Sequence, residues 1–277
     1  MIATANTTPI PAQAPEPVLE IHGLTKVFGG LRAVSNFDLT VRRGALDGLI
    51  GPNGAGKTTV FNMISGLYTP TSGDIYFYGE NLVGMEPHEI TQLGIGRTFQ
   101  NIRLFPNLTV LTNVLVAYHP HAGYGLLDGL VRSRRFDVKE REMIERARDF
   151  LAIFGLERYQ DELAKNLPYG EQRRVEIARA LASEPKLLLL DEPAAGMNPA
   201  EIGRLMEYIH FIRDRFNLTI LLIEHQMRLV MNICEQITVM DFGEVIARGT
   251  PAEVQNDVRV IEAYLGRGAA ARQGVSM

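Results

Sequence analysis

The segment Gly51-Pro-Asn-Gly-Ala-Gly-Lys-Thr-Thr59 constrains this chain more than any other stretch. It fits the phosphate-binding pattern G-x-x-x-x-G-K-[ST] in full. A nucleoside triphosphate carries a dense anionic tail, and holding it takes several backbone N–H donors aimed at one point. Glycines at 51, 54 and 56 let the backbone wrap closely. The residues after Lys57 read as a helix, so its positive N-terminal end would face the phosphates. Asn53, Gly54, Ala55, Gly56, Lys57, Thr58 and Thr59 are therefore the candidate phosphate contacts. Lys57 would reach the β- and γ-phosphates, and the Thr58 hydroxyl would bind Mg²⁺. The context agrees: Leu46–Ile50 reads as a buried strand entering the loop, and Val60, Phe61, Met63 and Ile64 as a helix ending near Gly66.

A length of 277 residues suits one large domain, or one domain with a subdomain. The formal net charge of −4 argues against a nucleic-acid-binding surface. The single cysteine, Cys234, excludes an intrachain disulfide and a thiolate zinc cluster, and its apolar surroundings predict an inert buried thiol. Residues 1–17 lack a basic and an apolar signal region and read as a disordered leader. The longest apolar runs, Leu187–Leu190 and Leu218–Ile223, are strand-sized and far below the ~20 residues that span a bilayer.

Along the chain, Val18–Ile21, Phe37–Val41 and Asp74–Tyr78 read as strands. In the block from 101 to about 170, Met143, Ala147, Phe150, Leu151 and Phe154 recur at helical spacing, with Glu142 and Arg146 as an i,i+4 pair. That block looks like a helical subdomain inserted into an α/β domain. Beyond it, helices at about 171–182 and 200–215 alternate with the apolar strands 187–190 and 219–223, the pattern of a parallel sheet covered on both faces. Ile237–Met240 and Val245–Arg248 flank Asp241-Phe-Gly, which reads as a hairpin turn. The same tripeptide binds Mg²⁺ in protein kinases, but the H-R-D-x-x-x-x-N loop that accompanies it there is missing.

Asp191 and Glu192 follow four leucines at a strand end, which suits a metal-dependent phosphate site. Asp191 would hold Mg²⁺ and Glu192 would polarise the attacking water. His225 lies just past the strand 219–223, where ligands gather in open α/β sheets; an isolated histidine is more often structural. Gln100, in Arg-Thr-Phe-Gln-Asn, would read as a solvated loop amide without this context.

Taken in order, these residues resemble the nucleotide-binding subunits of ABC transporters over about 18–266. The motifs are the phosphate loop, a Q-loop at Gln100, a signature at Leu167-Pro-Tyr-Gly-Glu-Gln172, the acidic strand end at 186–192, a D-loop at Ala195-Gly-Met-Asn198 and a switch histidine at His225. Gly94–Phe105, Leu167–Gly170, Asp191–Pro199, the insertion at about 119–137 and the ending Val260–Gly266 are similar to the ATP-binding subunit of branched-chain amino-acid importers. The resemblance implies a P-loop NTPase (RecA-like) α/β core with an antiparallel β subdomain at 18–100 and 171–266, a helical subdomain at 101–170 and a flexible tail at 267–277. It implies ATP and Mg²⁺ as cofactors, with Gln100 and Asp191 joining Thr58 at the metal and Phe28 stacking on adenine. Tyr169, Gly170 and Glu171 would meet the nucleotide of a second, identical or homologous subunit. Glu192, His225 and Gln100 would form the catalytic set. It further implies transmembrane permease partners, an external solute-binding protein acting indirectly, and a peripheral place on the cytoplasmic face of the inner membrane. The stretch 101–111, with Leu104, Phe105, Pro106 and Leu108, would meet a permease loop unless it packs into its own subdomain.

Four positions depart from the family pattern. Pro168 stands where the signature usually has serine, and Glu171 where it has glutamine. Asn198 replaces an aspartate, and Gln226 follows His225 where the subfamily usually has Asp. Rival readings are the ATPase of another ABC system (a urea or amide importer, a lipopolysaccharide-type exporter), a non-transport ABC ATPase, and a regulatory module that holds ATP without turnover.

Overall fold

The computed structural model describes residues 16–118 and 134–265. Most of the expected leader, the tail and most of the expected insertion lie outside these residues. Two sheets organise the described chain. A four-stranded antiparallel sheet has the order β2-β1-β4-β5, formed by β1 (Pro17–Phe28), β2 (Leu31–Arg42), β4 (Ser72–Phe77) and β5 (Glu80–Asn81). The six-stranded sheet has the order β10-β9-β3-β8-β7-β6. Its strands are β3 (Leu46–Ile50), β6 (Ile95–Arg97), β7 (Leu187–Asp191), β8 (Thr219–Ile223), β9 (Gln236–Asp241) and β10 (Glu244–Gly249). All its pairings are parallel except β9 with β10.

Strands β3, β7 and β8 are buried along their whole length. Alternation within them assigns each side chain to one of two cores. Leu188, Leu190, Ile220 and Leu222 face a core built largely with helices, including α4 (Arg134–Ile153), α5 (Tyr169–Ala182) and α6 (Pro199–Phe216). Leu187, Leu189, Leu221 and Ile223 face the other, which holds α1 (Lys57–Ile64) and the inner face of the antiparallel sheet. A strand buried on both faces must be apolar throughout, which is why the leucine run at 187–190 lacks polar alternation. Each buried leucine contributes about 1.5–3 kcal/mol, so the strand ends that carry the acidic pair are rigidly placed.

After the short α2 (Pro87–Leu93), the helical block 101–170 contributes α3 (Val110–Tyr118) and α4. Met143, Ala147, Phe150, Leu151 and Phe154 are all buried, as their spacing requires. The expected Glu142–Arg146 pair does not form. Lys139 takes Glu142, and Arg146 reaches Glu184. The chain places a nearer cation on the same helix and an acid across the gap, and exposed pairs of this kind differ little in energy. Cys234 is buried, and burial pushes its thiol well above the ordinary range, in keeping with an inert group.

Candidate active site

The phosphate loop joins β3 to α1, and its glycines have two jobs. A Cβ at Gly51 would lie 2.1 Å from the Met240 carbonyl oxygen, and one at Gly56 would lie 2.5 Å from that of Ala33, both with positive φ. These two are therefore fixed by backbone packed around the loop, whereas a Cβ at Gly54 meets nothing. The Asp241-Phe-Gly turn belongs to this packing. Phe242 and Gly243 both have positive φ, as a two-residue hairpin demands. The Gly243 amide donates to the Ala55 carbonyl (3.0 Å), and its carbonyl accepts from the Ser35 amide (2.8 Å). The tripeptide thus braces the loop from outside.

Lys57 is buried and donates to the carbonyls of Gly51 (2.7 Å) and Pro52 (2.9 Å). Burial lowers the pKa of its ammonium, while Glu192 and Asp191 pull it back up. Thr58, in the first turn of α1, is exposed.

The acidic pair sits at the end of β7. Asp191 is buried, its Oδ2 meets Arg97 at 3.0 Å, and its amide donates to the Thr98 hydroxyl at 3.1 Å. Its other carboxylate oxygen is buried with no hydrogen-bond partner. Burial raises its pKa and Arg97 opposes that shift. Glu192 turns off the strand with φ +46, a left-handed backbone that a non-glycine residue adopts at a cost. Its amide is tied to the Ile223 carbonyl at 2.9 Å, so the strain is held by the neighbouring strand.

Three expected residues converge on one atom. Glu192 Oε2 accepts from Gln100 Nε2 at 3.1 Å and lies 3.5 Å from His225 Nδ1. Gln100 is therefore no free loop amide, and His225 is half exposed beside two carboxylates, the second being Glu224 at 3.9 Å.

Glu224 escaped sequence reasoning. It is fully buried and accepts the amides of Ala194 (2.8 Å), His225 (3.1 Å) and Gln226 (3.2 Å), which fixes the turn that presents His225. Gln226, in place of the family's acid, donates to the Ala194 carbonyl. Arg97 was also missed. A lone arginine in an apolar strand segment was the available signal, since burial of that charge requires an acid.

Phe28 is 39% exposed and meets Tyr68 edge-on, with Lys26 Nζ over its ring at 5.1 Å. It is not a core residue. The signature residues lie elsewhere. Pro168 caps α5 with no side-chain bond, and Tyr169 is 46% exposed. The first amides of a helix have no partner within it, so those of Tyr169 and Gly170 form an anion-facing end. Glu171 pairs with Arg174. The D-loop Asn198 spends its acceptor on the amides of Ala200 and Glu201, capping α6. Phe105 and Leu108 are exposed while Leu104 packs on the core, so the stretch 101–111 divides between surface and interior. Buried Asn113 fixes this loop by hydrogen bonds to both backbone groups of Phe105.

A family model for the ABC transporter matches residues 34–195. The chain belongs to the ABC transporter family. A second model, for the branched-chain amino acid ATP-binding cassette transporter, matches residues 244–270. The high-affinity branched-chain amino acid transport ATP-binding protein LivG of Salmonella typhimurium (strain LT2) is 47% identical over 251 residues, 91% of this chain and 98% of that protein. Among solved structures, the ADP conformation of the ATP-binding cassette MJ1267 is similar with a TM-score of 0.79 and 32% identity, covering 91% of this chain and all of that one. The dimeric post-hydrolysis state of the cassette MJ0796, bound to ADP and Pi, is similar with a TM-score of 0.73 and 26% identity over 84% and 98%. As a member of this family the chain is a transport-coupled ATPase of P-loop fold, and among the described residues no helix is long and apolar enough to cross a membrane.

Proposed function

We propose that this chain is the ATP-hydrolysing subunit of an importer for branched-chain amino acids, working on the cytoplasmic face of the inner membrane. The observation that carries the chemistry is the convergence of Lys57, Asp191, Glu192, Gln100 and His225 at the carboxyl ends of β3, β7 and β8, where open α/β sheets bind ligands. The solute rests on the near full-length likeness to LivG and the match at 244–270.

In this reading the loop amides and Lys57 hold the phosphates and Phe28 stacks on the base. Glu192 orients and deprotonates the attacking water, with Gln100 and His225 positioning its carboxylate. The residues present fit Mg²⁺. Asp191 keeps a buried oxygen without a partner, and Thr58 offers an exposed hydroxyl. Mg²⁺ keeps several waters and needs few protein ligands, so Thr58, Asp191 and Gln100 suffice beside the phosphates. When bound, it neutralises charge that develops on the transferring phosphoryl group.

A second ATP-binding subunit would present its Tyr169, Gly170 and Glu171 to this nucleotide. The block 101–170 would act as the unit that moves. Exposed Phe105 would seat on a permease loop, an apolar anchor in a groove.

The test is reconstitution with the permeases and solute-binding protein of its own transporter in vesicles loaded with ATP. Uptake of labelled leucine that requires Glu192 supports the proposal; ATP hydrolysis with no uptake of leucine, isoleucine or valine refutes the assigned solute. In the same system, Phe105→Ala is expected to melt like the wild type and to co-purify with less permease. Capture of permease at wild-type yield by a folded variant removes Phe105 from the interface.

A further inference from the structure

Helix α5 carries a charged pair that the chemistry above does not use. Arg173 and Glu176 are both buried, Arg173 completely. One turn of helix separates them, and Arg173 Nη1 meets Glu176 Oε2 at 2.7 Å. Every other bond of the pair goes to the Q-loop or to the signature. Arg173 Nη1 donates to the Phe99 carbonyl (2.6 Å), and Nη2 donates to the Gln100 carbonyl (2.6 Å) and to the Tyr169 hydroxyl (3.2 Å). Glu176 Oε1 accepts the amides of Phe99 (3.4 Å) and Arg103 (3.2 Å). The guanidinium groups of Arg97 and Arg103 both lie over the ring of Phe99, at 4.9 and 4.1 Å. Arg97 in turn holds Asp191.

Stability alone does not account for this arrangement. A buried ion pair costs several kcal/mol per ion in lost hydration, and well-packed apolar residues often replace such pairs without loss. What the apolar replacement cannot do is grip backbone. One nitrogen, Arg173 Nη2, touches at once a signature side chain and the carbonyl of Gln100, whose amide nitrogen rests on Glu192.

We propose that Arg173 and Glu176 are positioning residues that transmit the seating of α5 against a partner's nucleotide to Gln100, and through it to Glu192 of the same chain. This rests on the ATPase reading above. Tyr169 at the start of α5 is exposed and Gly170 beside it is partly exposed, so an anion bound at their amides biases the helix. The guanidinium, fixed four residues further on, carries that bias to the Q-loop. The coupling is a difference in contacts between two placements of α5, which is what lets a remote ligand shift a site.

Two measurements test the relay. The first uses the double variant R173M/E176L, in which neither charge is left unpaired. Its melting temperature is expected to fall by several degrees, because backbone groups of Phe99, Gln100 and Arg103 lose their partners. The chain is expected to stay folded at assay temperature, with ATP affinity and KM near the wild type and kcat down ~100-fold, the scale of a misplaced catalytic group. A folded double variant with wild-type kcat overturns the relay. The second uses the native chain with ATP and Mg²⁺ and follows hydrogen exchange, so it stands even if the variant fails to fold. The amides of Phe99 and Arg103 are expected to change protection together with residues 169–172. A change at 169–172 with none at Phe99 and Arg103 overturns the relay. Wild-type turnover in the first assay is the separate check on the ATPase reading, since its absence fails that reading while the exchange experiment still judges the relay.

Discussion

The loop at 51–59 and the turn at 167–172 both present backbone amides at the start of a helix, yet they are finished differently. Around the first, the chain supplies a buried lysine, a buried acidic pair that acts on its charge, and a glutamine and a histidine gathered on Glu192. Around the second, Pro168 caps the helix without a side-chain bond and Tyr169 stands exposed. The first region has the parts for chemistry. The second has only the parts for recognising an anion brought by something else. Under the proposed function the contrast has a reason: a site would be assembled from two subunits, each chain bringing a catalytic half and an open recognition half.

The largest expected effect lies in the catalytic half. Glu192→Gln keeps the shape that accepts Gln100 and removes the base, so ATP should still bind while turnover falls ~10²–10⁴-fold. Near-normal hydrolysis by this variant in a steady-state assay would take the base role away from Glu192. Lys57→Ala removes a charge-assisted contact worth about 1.5–3 kcal/mol, so affinity for ATP in the isolated chain should drop ~10–100-fold. In the same calorimetric titration Gly170→Asp should bind within ~2-fold of wild type, because it lies on the other half and is independent of the loop. Equal damage by both substitutions would erase the distinction between the halves.

Phe28→Ala should weaken ATP binding by ~1–3 kcal/mol if stacking here matches that measured for nucleic-acid bases. Unchanged affinity would show that its exposed ring serves no base. The smallest effect is expected at the D-loop. Asn198→Ala removes the cap of α6 and should cost about 1 kcal/mol, a melting shift of ~2–4 °C for a chain of this size. A melt identical to wild type would mean the cap bonds to Ala200 and Glu201 are replaced by water.

Most of the catalytic half was legible in the sequence. β3 and β8 occupy the expected residues, because strands buried on both faces advertise themselves as continuous apolar runs. β1 and β2 run far longer than expected, from Pro17 to Phe28 and from Leu31 to Arg42. Their pairing is broken by register shifts between Ile21 and Leu24 and at Lys26, so the alternation that marks a half-buried strand fails in the middle. α5 also begins earlier than expected, at Tyr169, since Pro168 is a favourable place to enter a helix. Glu224, Arg97, Asn113 and the Arg173–Glu176 pair were not legible. Glu224, Arg97 and the Arg173–Glu176 pair reach segments distant in sequence, and Asn113 holds an irregular loop five to eight residues before it; neither periodicity nor a local motif names such partners.

The central claim is that neither half works alone. It is tested by hydrolysis per subunit as the concentration of ATP-binding subunits is raised, first with this chain alone and then with a homologous ATP-binding subunit from the same organism added. Activity per subunit is expected to climb with concentration in at least one of the two series and then to saturate, as two-chain sites fill. Activity per subunit that is the same at every dilution, with or without the second subunit, would show that one chain completes the site and would contradict it.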